Sequence, residues 1–157
     1  MISLLDNTVL SNFTIVRRPD LLRTAFGENL ATPQQAFSEL QVGIQTGKLV
    51  NIDWQWLTIW TLQETEVHHY QQFLQRLNAG EAACLAMALE RNCRVLTDDR
   101  DARESARRLQ IPLSGTLGVL VHLIDIKQLT VEQGDQLLHK MLAAGYRSPV
   151  TSLQAIF

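Results

Sequence analysis

Short unbroken apolar runs alternate along this chain with longer stretches of helical period. Residues 2–5 read as a brief buried strand that runs straight into Asp6. Residues 19–26 predict a short helix with Pro19 near its start, and residues 29–31 a brief strand. Thr32-Pro33-Gln34-Gln35 predicts a capped helix to about Gly47, because Thr caps, Pro suits the first helical position and Gln35 closes a capping box. Its apolar face is Ala36, Phe37, Leu40 and Ile44, with Glu39 on the flank and Gly43 beside it. Residues 49–53 alternate like a strand. Thr61 and Glu64 predict another capping box, opening a polar helix to about Leu77. Gly80-Glu81 opens a run, residues 82–89, that is apolar almost all round, so the helix is buried on most sides.

Residues 94–97 predict a second buried strand, and this one ends in Asp98, Asp99 and Asp101. A basic helix follows, with Arg100, Arg103 and Arg107 on one face and Glu104 spaced to pair with Arg108. Residues 111–113 form another short strand. A Ser114-Gly115-Thr116 turn leads into an apolar helix, Thr130 and Gln133 cap the next, and Ser148-Pro149 start a last short one. Short strands alternating with helices predict a three-layer α/β/α fold around a short-stranded, mainly parallel sheet, in a single domain spanning residues 1–157.

In such a sheet the acids matter more than the strands. Asp6, Glu39, Glu81 and the Asp98/Asp99 pair come from four separate elements, each near a strand end or a helix start. The carboxyl edge of an open α/β sheet is where ligands bind. Carboxylates buried together repel unless a cation is shared. Each acid also has a plain structural reading: Asp6 as a helix N-cap, Glu81 as a first-turn acid favoured by the helix dipole, Glu39 as a solvated side chain. If they converge, they make an all-oxygen site, which suits Mg²⁺ or Mn²⁺ rather than Zn²⁺. Thr8, Ser11 and Asn12 place small polar groups beside Asp6.

Composition narrows the picture. The chain has 157 residues, is 46% hydrophobic and 19% charged, and is expected to be globular. A net charge of −2 gives no global argument for nucleic-acid binding, yet of the 14 basic residues only Lys48, Lys127 and Lys140 are lysine. Arginine suits bidentate contact with phosphate as well as ordinary ion pairs. Cys84 and Cys93 suggest neither a disulfide framework nor a metal knuckle, and Cys84 reads as a core residue. Adjacent His68 and His69 point apart on a helix and read as surface residues. Trp54, Trp56 and Trp60 read as packing residues before base-stacking ones. No signal peptide or membrane span is legible, so a cytoplasmic protein is expected.

Asp6 after an N-terminal strand, Glu39, the Gly-Glu-Ala of residues 80–82, Thr-Asp-Asp-Arg-Asp-Ala-Arg of residues 97–103 and Ser-Gly-Thr-Leu-Gly-Val-Leu of residues 114–120 together resemble a PIN-domain nuclease. The likeness is to the branch long catalogued as a domain of unknown function, similar to the VapC-type toxins of bacterial toxin–antitoxin pairs. Glu81 stands where those toxins usually have Asp, which keeps the charge on a longer arm. The resemblance implies RNA cleavage dependent on Mg or Mn, a homodimer and an antitoxin that blocks the site. It implies catalytic roles for Asp6, Glu39, Glu81 and Asp99. Metal would be held by Asp6, Glu81 and one or both of Asp98 and Asp99. Substrate contacts are expected from Thr8, Ser11, Arg100, Arg103 and Arg107. Two other readings compete. One is a PIN-like module that binds RNA or protein without cutting. The other is a haloacid-dehalogenase-type phosphohydrolase, disfavoured because Thr8 occupies the position of that family's second Asp.

Overall fold

The computed structural model describes residues 1–157. Five parallel strands form one sheet: β1 (Ser3–Leu5), β2 (Leu30–Pro33), β3 (Thr58–Trp60), β4 (Arg94–Leu96) and β5 (Leu113–Ser114), in the order β3-β2-β1-β4-β5. The helices are α1 (Asn7–Ile15), α2 (Asp20–Phe26), α3 (Gln34–Gln45), α4 (Glu64–Phe73), α5 (Ala79–Arg91), α6 (Arg100–Arg108), α7 (Thr116–Asp125) and α8 (Val131–Ala143), with a 3-10 turn at Leu153–Ala155.

The central strand sorts its neighbours by alternation. Leu5 and Leu96 face one core, shared with Leu10 and Phe13 of α1, Leu120 and Leu123 of α7 and Leu138 of α8. Leu4 and Val95 face the other, against Leu85 and Met87 of α5 and Ala102 and Ala106 of α6. Successive side chains on a strand point to opposite faces, so each three-residue strand feeds two cores. Cys84 lies wholly inside the second core.

Several local expectations are corrected. The alternating residues 49–53 form no strand, and the third strand is Thr58–Trp60, in register with β2 through Ala31 opposite Thr58. Thr32 and Pro33 belong to β2 rather than to the helix start, and no capping box forms at Gln35. The Thr32 hydroxyl instead donates to the Leu5 carbonyl at 2.8 Å, tying β2 to β1. The capping box of α4 is Gln63 with Glu66, not Thr61 with Glu64, and α4 ends at Phe73 rather than near Leu77. Arg108 makes no ion pair with Glu104. The final helical turn lies at Leu153–Ala155, beyond Ser148-Pro149.

The tryptophans pack as expected. Trp54 is buried with its ring 5.7 Å from that of Trp56, and the guanidinium groups of Arg23 and Arg91 lie over Trp56 and Trp60. No helix is long and apolar enough to cross a membrane.

Candidate active site

Asp6 follows β1 directly and its backbone N–H donates to the Leu96 carbonyl at 2.9 Å, which fixes it at the carboxyl edge of the sheet centre. It occupies the N-cap position of α1 but its side chain makes no capping bond. Its carboxylate, only 1% exposed, turns toward β4 instead. There Oδ2 accepts hydrogen bonds from the Thr97 hydroxyl at 2.8 Å and the Thr8 hydroxyl at 3.0 Å. Oδ1 is buried with no hydrogen-bond partner. Burial pushes the Asp6 carboxyl above the usual carboxylate range, against the pull of those two hydroxyls and of the nearby Asn7 and Thr8 backbone N–H groups.

Glu39 reaches the same edge from α3. Its Oε1 accepts the Gly80 backbone N–H at 2.7 Å, across the junction of α3 and α5. A Cβ at Gly80 would sit 2.6 Å from that oxygen and 3.0 Å from the Ala36 Cα, so this approach requires glycine. Burial raises the Glu39 carboxyl, the Gly80 bond opposes it, and the charge of Asp6 adds to the rise.

Glu81 lies in the first turn of α5 and is 5% exposed. It completes a capping box: its backbone N–H donates to Asn78 Oδ1 at 2.9 Å, and its Oε2 accepts the Asn78 backbone N–H at 3.2 Å. The structural reading of Glu81 thus holds, but the cap does not exhaust the residue. Burial, and then the charges of Asp6, Asp99 and Glu39, push its carboxyl up to about 7. The buried Cys84 thiol, one turn further along α5, is raised by burial and then by Asp6, Glu39 and Glu81. Glu81 is therefore close enough to feel acids from three other segments, Asp6, Asp99 and Glu39.

Asp98 and Asp99 are consecutive but belong to different networks. Asp99 caps α6 through the Ala102 N–H at 2.9 Å and is one of the charges acting on Glu81. Asp98 has both oxygens engaged away from Asp6: Oδ1 accepts the Thr116 N–H at 2.8 Å, and Oδ2 accepts from Asn12 Nδ2 at 3.0 Å and from the Thr116 hydroxyl. A Cβ at Gly115 would come within 2.6 Å of Asp98 Oδ1, so the close turn before α7 exists to let Asp98 in. Thr8 is half-buried and accepts the Asp98 N–H at 2.9 Å besides donating to Asp6. Ser11 donates to Asn7 Oδ1 at 3.0 Å, within α1. Arg103 braces the edge through Nη1, which donates to the carbonyls of Thr97 at 2.9 Å and Ser114 at 3.1 Å. Arg100 and Arg107 are exposed on the same helix.

Sequence reasoning missed Asn12 and Thr116 as the residues that hold Asp98, and Thr97 as the donor to Asp6. Asn12 had a signal, lying one helical turn from Thr8 on the face that carries Asp6. Thr116 had only its place in the Ser114–Leu120 segment, which does not name its partner 18 residues away.

No group of three or more acid, histidine or cysteine side chains is placed to hold a metal ion. The donor set nonetheless fits a hard cation in kind. It is all oxygen, neighbouring acid charges raise the carboxyls of Glu81 and Glu39, and the Asp6 Oδ1 lacks a partner. Mg²⁺ keeps several waters and needs only one or two carboxylates, so a three-ligand cage is not required.

The sequence model of the DUF3368 family, described as a PIN domain, matches residues 2–157. The chain belongs to the PIN-domain family. Among solved structures, this PIN domain is similar in fold to a chain in the crystal structure of VapBC2 from Rickettsia felis bound to a DNA fragment from their promoter. The TM-score is 0.53 at 18% identity, over 73% of the present chain and 98% of that one. No match to this chain by sequence was found among curated proteins.

The Glu81 shift makes a prediction for stability. A carboxyl raised from 4.5 to about 7 holds its proton in the folded state after the unfolded chain has lost it. Its contribution is therefore full below pH 4.5 and is lost as pH rises toward 7. Glu81→Gln keeps the capping box and removes the titration. In chelator, its unfolding free energy is expected to exceed wild type at pH 8 by about 2–3 kcal/mol, with no gain at pH 4.5. Urea melts at the two pH values check this, and equal differences at both would refute it.

Proposed function

We propose that this PIN domain is a metal-dependent endoribonuclease, the toxin of a bacterial toxin–antitoxin pair. The observation that carries the reading is a buried Asp6 oxygen with no hydrogen-bond partner, near a Glu81 carboxyl that is raised by burial and then by the charges of Asp6, Asp99 and Glu39. Mg²⁺ or Mn²⁺ would be held by Asp6, Glu81 and Asp99, with Asp98 held apart by Thr116 and Asn12. When bound, such an ion supplies Lewis acidity toward a phosphodiester and makes an activated water available at neutral pH.

The chain's own residues do the rest. Thr97 and Thr8 fix one oxygen of Asp6 and leave the other facing the site. Asn78 orients Glu81, and the Gly80 N–H holds Glu39. Glu39, half-buried with a raised proton affinity, is suited to accept a proton from the attacking water. Arg100 and Arg107 lie exposed beside the acids and would contact the RNA backbone. The resemblance to VapC-type toxins implies an antitoxin partner and a homodimer, and the fold likeness to a chain of the VapBC2 structure is in keeping with the first of these.

A second reading, a PIN domain that binds RNA or protein without cutting, is favoured by one observation: Glu81 is tied into a helix cap and no three acids surround a common point. Metal titration separates the two. At metal concentrations about 100-fold above Kd, a site used by the folded state adds about 2.7 kcal/mol, or roughly 5–10 °C in Tm. The nuclease reading expects that shift together with cleavage of single-stranded or structured RNA in Mg²⁺ or Mn²⁺ and none in chelator. Neither shift nor cleavage would leave the binding module.

A further inference from the structure

A cavity of about 470 Å³ opens beside the acids, walled by Asp98, Arg100, Arg103, Arg107, Tyr146 and Arg147. Its guanidinium groups come from two places in the chain, one face of α6 and the segment that follows α8. Outside the cavity three arginines pair, Arg18 with Asp20, Arg23 with Glu28 and Arg91 with Glu66, while Arg17, Arg76, Arg94 and Arg108 stand singly. None of the four around the cavity makes an ion pair. The one carboxylate in the wall, Asp98, has both oxygens occupied by Thr116 and Asn12. The cavity thus gathers four guanidinium groups against the single carboxylate of Asp98, an excess of positive charge in a chain whose net charge is −2.

Its position is as informative as its charge. Asp98 lines this cavity while its chain neighbour Asp99 acts on Glu81, so one peptide bond joins the cavity wall to a residue that acts on the other acids. Guanidinium forks match the oxygens of phosphate. Tyr146, half-buried in the wall, offers a ring to an adjoining ribose or base.

We propose that this cavity is a phosphate subsite for single-stranded RNA, which takes the backbone phosphate next to the one at the acids and so sets where the strand lies for cutting. The placement relative to the cut rests on the nuclease reading; the anion subsite itself does not. It assigns Arg147 and Tyr146, in the segment after the last long helix, a part in substrate recognition.

The test measures binding of a labelled single-stranded RNA in chelator by fluorescence anisotropy, across a range of salt. Wild type, an Arg107→Gln/Arg147→Gln double variant, an Arg107→Lys/Arg147→Lys double variant and Asp6→Asn are compared. The Gln pair is expected to weaken binding about tenfold and to lower the slope of log K against log salt by about 0.7 for each phosphate no longer neutralised. The Lys pair recovers part of the slope, and Asp6→Asn binds at least as tightly as wild type. Thermal melts of the Gln pair within a few degrees of wild type exclude misfolding, since both residues are exposed. Unchanged affinity and slope in the Gln pair would overturn the subsite, while leaving the nuclease reading intact if Asp6→Asn still abolishes cutting. Arginine-dependent binding without metal-dependent cutting by any form would keep the subsite and overturn the nuclease reading.

Discussion

Asp6→Asn is expected to lower kcat/KM for metal-dependent RNA cleavage by about 10³-fold or more, some 4 kcal/mol of transition-state stabilisation. The same change should leave the fold as stable as wild type, or more so, in the absence of metal. The two results have one cause. The Asp6 carboxylate is buried, one oxygen has no partner, and its charge raises both Glu39 and Glu81. Replacing it by an amide of the same shape keeps an acceptor for Thr97 and Thr8 while removing a charge that the folded state holds at a cost. Any stabilisation by Mg²⁺ or Mn²⁺ should vanish with that charge. Cleavage assays and melts on one preparation check all three outcomes. An Asp6→Asn protein that cuts normally would remove Asp6 from the active site, and one that melts far below wild type would mean that the carboxylate is a structural group.

Arg91→Ala is expected to cost about 3–5 kcal/mol, or a fall in Tm of roughly 10–15 °C. Arg91 closes a bidentate pair with Glu66, Nε to Oε2 at 2.7 Å and Nη2 to Oε1 at 2.8 Å, and the Glu66 side chain is wholly buried. The same Nη2 donates to the Thr61 carbonyl at 2.9 Å, and the guanidinium lies 4.4 Å from the Trp60 ring centre. Burial pushes the Glu66 carboxyl up, but the Arg91 and Gln63 bonds outweigh it and hold the carboxyl below its ordinary 4.5. The stabilisation is therefore present above pH 4.5 and is lost as pH falls through the depressed folded value. The gap between Arg91→Ala and wild type should narrow in acid. Adding Glu66→Gln to Arg91→Ala should restore part of the loss, because the double variant no longer buries an uncompensated charge. Additive losses in the double variant would refute the pairing as the source of the stability.

The same pair explains where sequence reasoning failed. Thr61-Leu-Gln-Glu64 and Gln63-Glu-Thr-Glu66 are both capping patterns, and nothing local chooses between them. Arg91, 25 residues on, chooses Glu66. The third strand slipped for a like reason. Residues 49–53 alternate well, but Thr58–Trp60 is the segment in register with β2, and register is set by non-local pairing. Thr32 looked like a cap because its hydroxyl was free to be one; in the folded chain it is bound to Leu5. By contrast, the strands ending in Asp6 and Asp98, the buried helix after Gly80 and the parallel layering were legible. Each of those is written in an unbroken apolar run or in a residue beside one. Which of Asp98 and Asp99 faces the other acids was not legible, since Thr116 and Asn12 decide it from far away in the chain.

The sheet order has a consequence for when the site can exist. β1 lies at the centre, between β2 and β4, and Asp6 N–H bonds to the Leu96 carbonyl. Apart from Thr8, the partners that position Asp6, Leu96 and Thr97, are thus made some 90 residues after it, and contacts of such long sequence separation are slow to form. A chain still emerging during synthesis, or one cut before β4, holds at most three of the four acids and no frame to bring them together. Competence should switch on only when the second half of the sheet docks. For a protein whose proposed activity endangers the cell that makes it, the latency of the nascent chain is built into the topology.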